Sequence, residues 1–305
     1  MTGERAFIDR LRAIATHPGA RGLADDAAVL EVAAGGLVLT HDVLAEGVHY
    51  LADSDPADVA WKLAAVNLSD LAAKGATPLG ALLGFTLGDG AWDAAFAAAL
   101  GEVLAHYDMP LLGGDSVRLP GGSPRVLGLT AIGRAPDGGA PSRGGARAGD
   151  RLWVTGTIGD AGAGLALCRD RRSAPTELVG AYLRPRPRLA EGRALAPQVA
   201  AMMDVSDGLL IDAARMAAAS GAGLTIALDE IPLSPALVGF AGDDRAARLA
   251  AATAGDDYQL LFALPPDRAP PVAATTIGQF ADGSGLSLSE HGKAIALPAR
   301  LGFVH

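Results

Sequence analysis

The sequence predicts an α+β protein built from two α/β domains, on three observations: its length, the mixed order of strand-like and helix-like stretches, and one Gly-, Pro- and Arg-rich seam near the middle. At 305 residues the chain is longer than a single compact core usually is, so two domains are expected. The seam, RAPDGGAPSRGGARAGD at 134–150, is the best candidate linker. It sets an N-terminal domain at 1–138 against a C-terminal domain at 139–305.

AAVLEV (27–32) and GLVLTH (36–41) are β-prone runs around Gly35 and Gly36 and predict a hairpin, with Asp42 at its far end. Asp55-Pro56 reads as a helix start, Asp55 capping and Pro56 in the first turn, and the helix continues past Asp70. Residues 79–87 read as strand and 91–107 as an Ala-rich helix. Residues 110–113 read as a short strand ending at Gly113-Gly114-Asp115, and 124–134 as a longer one. Beyond the seam, 151–157 reads as strand, 160–170 and 187–199 as helices, and 201–205 as a strand feeding Ser206-Asp207-Gly208 and a helix to about 219. Short β candidates follow at 224–228, 258–264, 275–279 and 286–290.

Half the residues are hydrophobic and 5% aromatic, so the core is expected to consist of small aliphatic side chains. A net charge of -9 argues against a nucleic-acid binder, whose affinity comes from clustered Lys and Arg. The single cysteine, Cys168, excludes an internal disulfide and a cysteine-based zinc site and fits a reducing cytoplasm. Phe7, Ile8, Leu11 and Ile14 recur at helical spacing between charges, unlike a signal peptide, and no apolar run reaches the ~20 residues of a membrane span.

No GxxxxGK[ST] or GxGxxG phosphate loop and no HExxH occur. What remains is a series of acidic residues at predicted element ends: Asp25-Asp26, Asp42, Asp70, Asp115, Asp204, Asp207 and Asp256-Asp257. Each alone reads equally as a cap or a solvated turn residue. If they converge, each close pair repels by about 4 kcal/mol at 4 Å and an effective dielectric near 20, so cations are needed. Oxygen-only ligands suit Mg²⁺, which joins one or two carboxylates to substrate phosphates, the arrangement of a phosphoryl-transfer site.

ADDAAVL (24–30), THDVLAEGVHY (40–50), VNLSDLAAKGATP (66–78), YDMPLLGGDSVR (107–118), SRGGARAGDRLWVTGTIGDAGAG (142–164), LRPRPR (183–188), DVSDGL (204–209) and AGDDYQLLF (254–262) together resemble the thiamine-monophosphate kinase family. The resemblance implies a fold like that of aminoimidazole ribonucleotide synthetase and a homodimer formed through the N-terminal halves. It also implies transfer of phosphate from ATP to thiamine monophosphate, the last step of thiamine diphosphate biosynthesis.

By position it implies Asp26, Thr40, His41, Asp42, Asp70, Asp115, Asp204 and Asp207 as Mg²⁺ ligands. It implies Gly114, Asp115, Arg143 and Ser206 at ATP, and His49, Asp256 and Phe303 at thiamine monophosphate. Asp25 and Asp257 are not assigned. The sequence departs from the family at His41, usually Thr and expected to contribute through its backbone oxygen, at Asp256, usually Glu, and at Ala24, usually Gly. Catalysis is expected from metals rather than from a side-chain base, because the attacking group is already an anionic phosphate oxygen. Selenophosphate synthetase, a rival with related chemistry, usually needs a Cys or selenocysteine near its N-terminus, and none precedes Cys168. A non-catalytic scaffold has no use for so many carboxylates.

Overall fold

The computed structural model describes residues 4–18, 20 and 35–304, so Asp26 and the strand expected at 27–32 lie outside the described residues. The chain divides into an N-terminal unit, up to Leu71 and from Thr77 to Asp137, and a C-terminal unit, Ala72–Ala76 and Gly138 onward.

In the N-terminal unit, β1 (Leu37–Ala45), β2 (Thr77–Leu87), β3 (Leu111–Arg118) and β4 (Val126–Arg134) form a sheet in the order β1-β4-β2-β3. Its helices are α1 (Glu4–Ile14), α2 (Pro56–Ala73, whose last residues belong to the C-terminal unit) and α3 (Gly90–His106). Asp55 caps α2 by accepting the Ala57 N–H at 2.8 Å, and α2 is buried nearly all round, Asn67 and Ser69 included. Stacked and tilted rings of Phe7, Phe85, Phe96 and Trp92 fill the core between β2, α1 and α3. Gly101 admits α1, because a Cβ there would stand 2.6 Å from Ile14 Cγ2.

The Gly113-Gly114-Asp115 segment corrects the sequence reading. Glycine pairs suggest a turn, yet β3 runs through them to Arg118 in parallel register with β2. Gly114 (φ 159°) is what allows it, since a Cβ there would lie 2.0 Å from the Leu83 carbonyl oxygen.

The C-terminal unit holds β5 (Arg151–Thr155), β6 (Ala201–Asp204), β7 (Gly223–Ala227), β8 (Leu260–Leu264), β9 (Ala274–Ala281), β10 (Gly285–Glu290) and β11 (Lys293–Ile295), ordered β11-β10-β7-β9-β5-β8-β6. Its helices are α4 (Asp160–Arg169), α5 (Thr176–Leu183), α6 (Leu189–Leu195), α7 (Leu209–Ser220), α8 (Pro235–Ala241) and α9 (Arg245–Ala254). The main core joins Leu152, Val154, Met203, Leu210, Met216, Ile226, Leu261 and Phe280, with α7 against the sheet.

The helix read at 187–199 contracts to α6, and α5, α8, α9 and β11 had no counterpart in the sequence reading. The short helices depend on caps that are easily passed over in loop-like sequence. Ser234 accepts from the Leu237 N–H for α8, and Asp244 accepts from the Ala247 N–H for α9.

α4 and α5 pack closely at Gly164, where a Cβ would stand 2.0 Å from Leu178 O, whereas a Cβ on Gly180 of α5 meets nothing within 4 Å. Gly164→Ala should therefore lower stability by about 1–3 kcal/mol through overpacking. Gly180→Ala should raise it by up to about 1 kcal/mol through helix propensity. Opposite shifts of the urea midpoint are expected, and shifts of the same sign would contradict this packing.

Candidate functional site

Strand alternation divides β1. Leu37, Leu39, His41 and Val43 are exposed on one face, while Val38, Thr40, Asp42 and Leu44 turn to the other and are more buried. On that second side α2 presents Asn67 and Asp70, one turn apart. Asn67 Oδ1 accepts the Asp42 N–H at 3.0 Å while its Nδ2 is fixed by Leu63 O at 2.9 Å, and the Thr40 hydroxyl donates to the Asp70 carboxylate. Thr40, Asp42 and Asp70 are thus gathered. The His41 ring is not, because it lies over Gly128 on the opposite face with Nδ1 2.9 Å from Thr130 Oγ1. Asn67 was missed in the sequence, although its i,i+3 spacing to Asp70 places both on one helix face.

Asp115 is on β3, at the other edge of the sheet. The register Asp115–Gly84–Gly128–Val43 puts it on the face of Val43, not of Asp42, whereas Gly114 shares the row Leu83–Leu129–Asp42. With strands about 4.8 Å apart, three spacings separate β3 from β1 by roughly 14 Å. Within one chain Asp115 therefore does not join Thr40, Asp42 and Asp70.

Beyond β1, His49 accepts the Ala45 N–H at Nδ1 (3.0 Å), which places the proton of its neutral ring on Nε2. A cavity of about 390 Å³ opens beside this loop, lined by Glu46, Tyr50, Trp92, Arg118, Ser123 and Arg125 among others. Arg125 lies 3.6 Å over the Trp92 ring and pairs with Asp93 at 3.1 Å. Burial pushes the Tyr50 hydroxyl well above its ordinary value, and Glu46 adds to the effect.

The C-terminal unit gathers its candidates more completely. β6 ends at Asp204, and the chain then turns through Val205-Ser206-Asp207-Gly208 into α7. Main-chain bonds fasten this turn to the 255–259 loop: Val205 N–H to Gln259 O (2.9 Å), Tyr258 N–H to Val205 O (2.8 Å) and Asp256 N–H to Ser206 O (2.7 Å). Phe303 N–H donates to Asp207 O at 2.8 Å, bringing in the C-terminal segment. Asp204, Ser206, Asp207, Asp256 and Phe303, dispersed over a hundred residues, thus surround one turn. Asp256 and Tyr258 both have positive φ (61° and 49°), and the Tyr258 hydroxyl donates to Asp256 Oδ1 at 3.0 Å.

Arg143 rises from a separately fastened loop. Ser142 O accepts the Met202 N–H at 2.8 Å, and Gly145 and Ala146 N–H both donate to Ser220 Oγ at 3.2 Å. The Lys74 ammonium donates to Pro141 O (3.1 Å) and Met202 O (3.4 Å). Arg143 is thereby held beside the strand that ends in Asp204. Lys74 sits within VNLSDLAAKGATP but was not singled out in the sequence, since main-chain carbonyl partners such as Pro141 and Met202 leave no pattern there.

Among the described residues no three acidic or histidine side chains gather closely enough to hold a metal alone. The donors present are nevertheless oxygens: Thr40 bonded to Asp70 with Asp42 on the same strand face, and Asp204 and Asp207 along one strand-to-helix turn. Such groups suit an ion that completes its shell with phosphate oxygens and water. No described helix is long and apolar enough to cross a membrane.

Two α/β units, each carrying carboxylates on strands and turns, define a protein related to AIR synthase. The AIR synthase related protein N-terminal domain family matches residues 24–135, and the corresponding C-terminal domain family matches 147–287. Thiamine-monophosphate kinase of Caulobacter vibrioides is 40% identical over 305 residues, spanning 94% of this chain and 86% of that protein. The crystal structure of thiamine-monophosphate kinase from Stenotrophomonas maltophilia is 36% identical, with a TM-score of 0.83 over 95% of this chain and 97% of that one. The structure of AaThiL complexed with AMPPCP and TMP is 31% identical, with a TM-score of 0.79 over 99% and 97%. The chain belongs to the thiamine-monophosphate kinase family.

Asp257, which the sequence left without a role, is buried beside Asp256. Its Oδ1 accepts the Gly159 N–H at 2.8 Å before α4, and its Oδ2 meets no partner. Burial first, and then the neighbouring Asp160 and Asp256, raise its carboxyl well above the usual range. A group raised in this sense binds more protons folded than unfolded, so it erodes stability as pH climbs from about 4 towards the raised value. Asp257→Asn keeps the acceptor for Gly159 and removes the titration. Its melting temperature relative to wild type should rise across pH 4 to 8, by about 2–4 °C for each kcal/mol relieved. A difference independent of pH would contradict the assignment.

Proposed function

We propose that this chain transfers the γ-phosphate of ATP directly to the phosphate of thiamine monophosphate, giving ADP and thiamine diphosphate. The observation that carries the reading is the Val205–Gly208 turn, whose main chain bonds Asp256 and Phe303 directly to the Ser206-Asp207 pair. The family and the relative complexed with AMPPCP and TMP support it.

In this reading a terminal oxygen of the thiamine phosphate attacks the γ-phosphorus, an O–P bond forms in line, and the bond to the ADP oxygen breaks. The nucleophile is already anionic, so no side chain need remove a proton and no covalent enzyme intermediate forms. Asp26, Thr40, Asp42 and Asp70 in the N-terminal unit, and Asp204 and Asp207 in the C-terminal unit, would hold Mg²⁺, and Asp115, on the other face of the sheet, would hold a separate ion. His41 could offer only its backbone oxygen. When bound, Mg²⁺ would supply neutralisation of the phosphate charge. Gly114, Asp115, Arg143 and Ser206 bind ATP, Arg143 as a guanidinium suited to phosphate oxygens and Gly114 as a position with no side chain. His49, Asp256 and Phe303 take thiamine monophosphate. A carboxylate and an aromatic face suit its cationic thiazolium, and the Asp256 carboxylate is steadied by the Tyr258 hydroxyl.

The homodimer belongs to the same proposal. The sheet face away from α2 exposes Leu37 (43%), Leu39 (64%), Val43 (42%) and Val117 (51%). Such an apolar sheet face on β1 and β3 is suited to a second copy of the chain. Because Asp115 lies on this face, pairing would also change its surroundings.

An ADP-release assay with thiamine monophosphate and Mg²⁺, using EDTA as control, tests the activity. Folded protein that releases no ADP above background would sink the reading. Asp42→Asn and Asp207→Asn should each lower turnover by about 10²-fold or more with unchanged circular dichroism, and near-normal rates in both would remove the metal assignment. Light scattering after size exclusion should show a dimer for the wild type and a monomer for Leu39→Glu. A monomeric wild type would refute the dimer.

A further inference from the structure

Two side chains outside the proposed ligand set govern the shape of the Val205–Gly208 turn. Asp212, in the first turn of α7, is fully buried. One of its oxygens, Oδ2, accepts two main-chain donors, Ser206 N–H at 3.1 Å and Asp207 N–H at 3.0 Å. The other, Oδ1, accepts from Arg215 Nη1 at 2.8 Å, and the same Nη1 donates to Asp207 Oδ2 at 2.5 Å. These bonds close a ring. Asp212 fixes the backbone of Ser206 and Asp207, Arg215 fixes the Asp207 carboxylate, and the Asp212–Arg215 pair ties one restraint to the other. Amides that approach a helix N-terminus have no helical acceptor of their own, so a carboxylate reaching back from within the helix decides where they point.

Helix geometry explains the arrangement, since Asp212 and Arg215 are three residues apart and share a face of α7. Exposure divides the roles. Asp212 has no solvent-accessible side chain, whereas Arg215 is 40% exposed and Asp207 20%. Arg215 can therefore be removed with little loss of core, and its bonds concern orientation more than folding.

We propose that Asp212 and Arg215 are positioning residues for nucleotide binding: Asp212 presets the Ser206 and Asp207 main chain, and Arg215 presets the Asp207 carboxylate. This inference rests on the assignment of Ser206 and Asp207 made under the proposed function. Its test is therefore run on two readouts, one of which needs no nucleotide.

The first readout is amide hydrogen exchange at Ser206 and Asp207 in the protein alone. Asp212→Asn retains one oxygen for both amides but loses the charge pair with Arg215, so protection should persist. Asp212→Ala should accelerate exchange at both amides at least tenfold. The second readout is calorimetric binding of a non-hydrolysable ATP analogue with Mg²⁺. Arg215→Met and Asp212→Asn should each weaken binding about tenfold, Arg215→Met with a melting temperature close to wild type, and Arg215→Lys should recover part of the loss.

Unchanged exchange in Asp212→Ala, or wild-type affinity in Arg215→Met and Asp212→Asn, would overturn the proposal. Tighter binding in Arg215→Met would also overturn it, because Arg215 would then compete with the cation rather than position its ligand. Should Asp212→Ala fail to fold, Asp212→Asn and Arg215→Met decide the matter. If the wild type shows the expected amide protection but no analogue binding, the functional assignment of the turn fails, while the restraint of its main chain by Asp212 stands.

Discussion

The C-terminal unit depends on the main-chain bonds that fasten three remote segments around Val205, Ser206 and Asp207. Bonds from Val205 to Gln259, from Tyr258 to Val205, from Asp256 to Ser206 and from Phe303 to Asp207 leave these segments no independent freedom. Close approach is bought with glycine. A Cβ on Gly255 would stand 2.8 Å from Ser206 O, and one on Gly302 would stand 2.5 Å from Asp207 O. Phosphoryl transfer asks chiefly for such fixed positions, because the protein contributes little covalent chemistry.

Charge is the second constraint, and the chain handles it locally. Asp70 is met by the Thr40 hydroxyl rather than by another carboxylate. Asp207 and Asp212 share Arg215. Asp257, beside Asp256, is pushed towards its neutral form by burial, which spares that loop a second full negative charge. Carboxylates left without such partners would repel by several kcal/mol per close pair. Their distribution among hydroxyl, guanidinium and burial lets an acidic chain keep them on turns and strand faces.

The α+β class and most long elements were legible because their signals are local. Asp55-Pro56 starts α2, and the alternation in GLVLTH appears as β1. The acidic residues could be read only as a set of words, since no single Asp announces whether it caps, ligates or faces solvent. Two things escaped the sequence for opposite reasons. Asp115 looked like the end of a strand because Gly113-Gly114 mimics a turn, whereas only pairing with β2 shows that these glycines serve close backbone approach. Asp212 and Arg215 carry no signal of their own in the sequence, because their partners Ser206 and Asp207 are met only once the turn has folded back over the start of α7.

In the proposed function the turn serves to join two phosphates, and phosphorus NMR of the running reaction reports that event most directly. With ATP, thiamine monophosphate and Mg²⁺, the monophosphate resonance should disappear as the coupled pair of a new diphosphate grows in, one for each ADP formed. Growth of ADP with free inorganic phosphate and an unchanged thiamine monophosphate signal would contradict it.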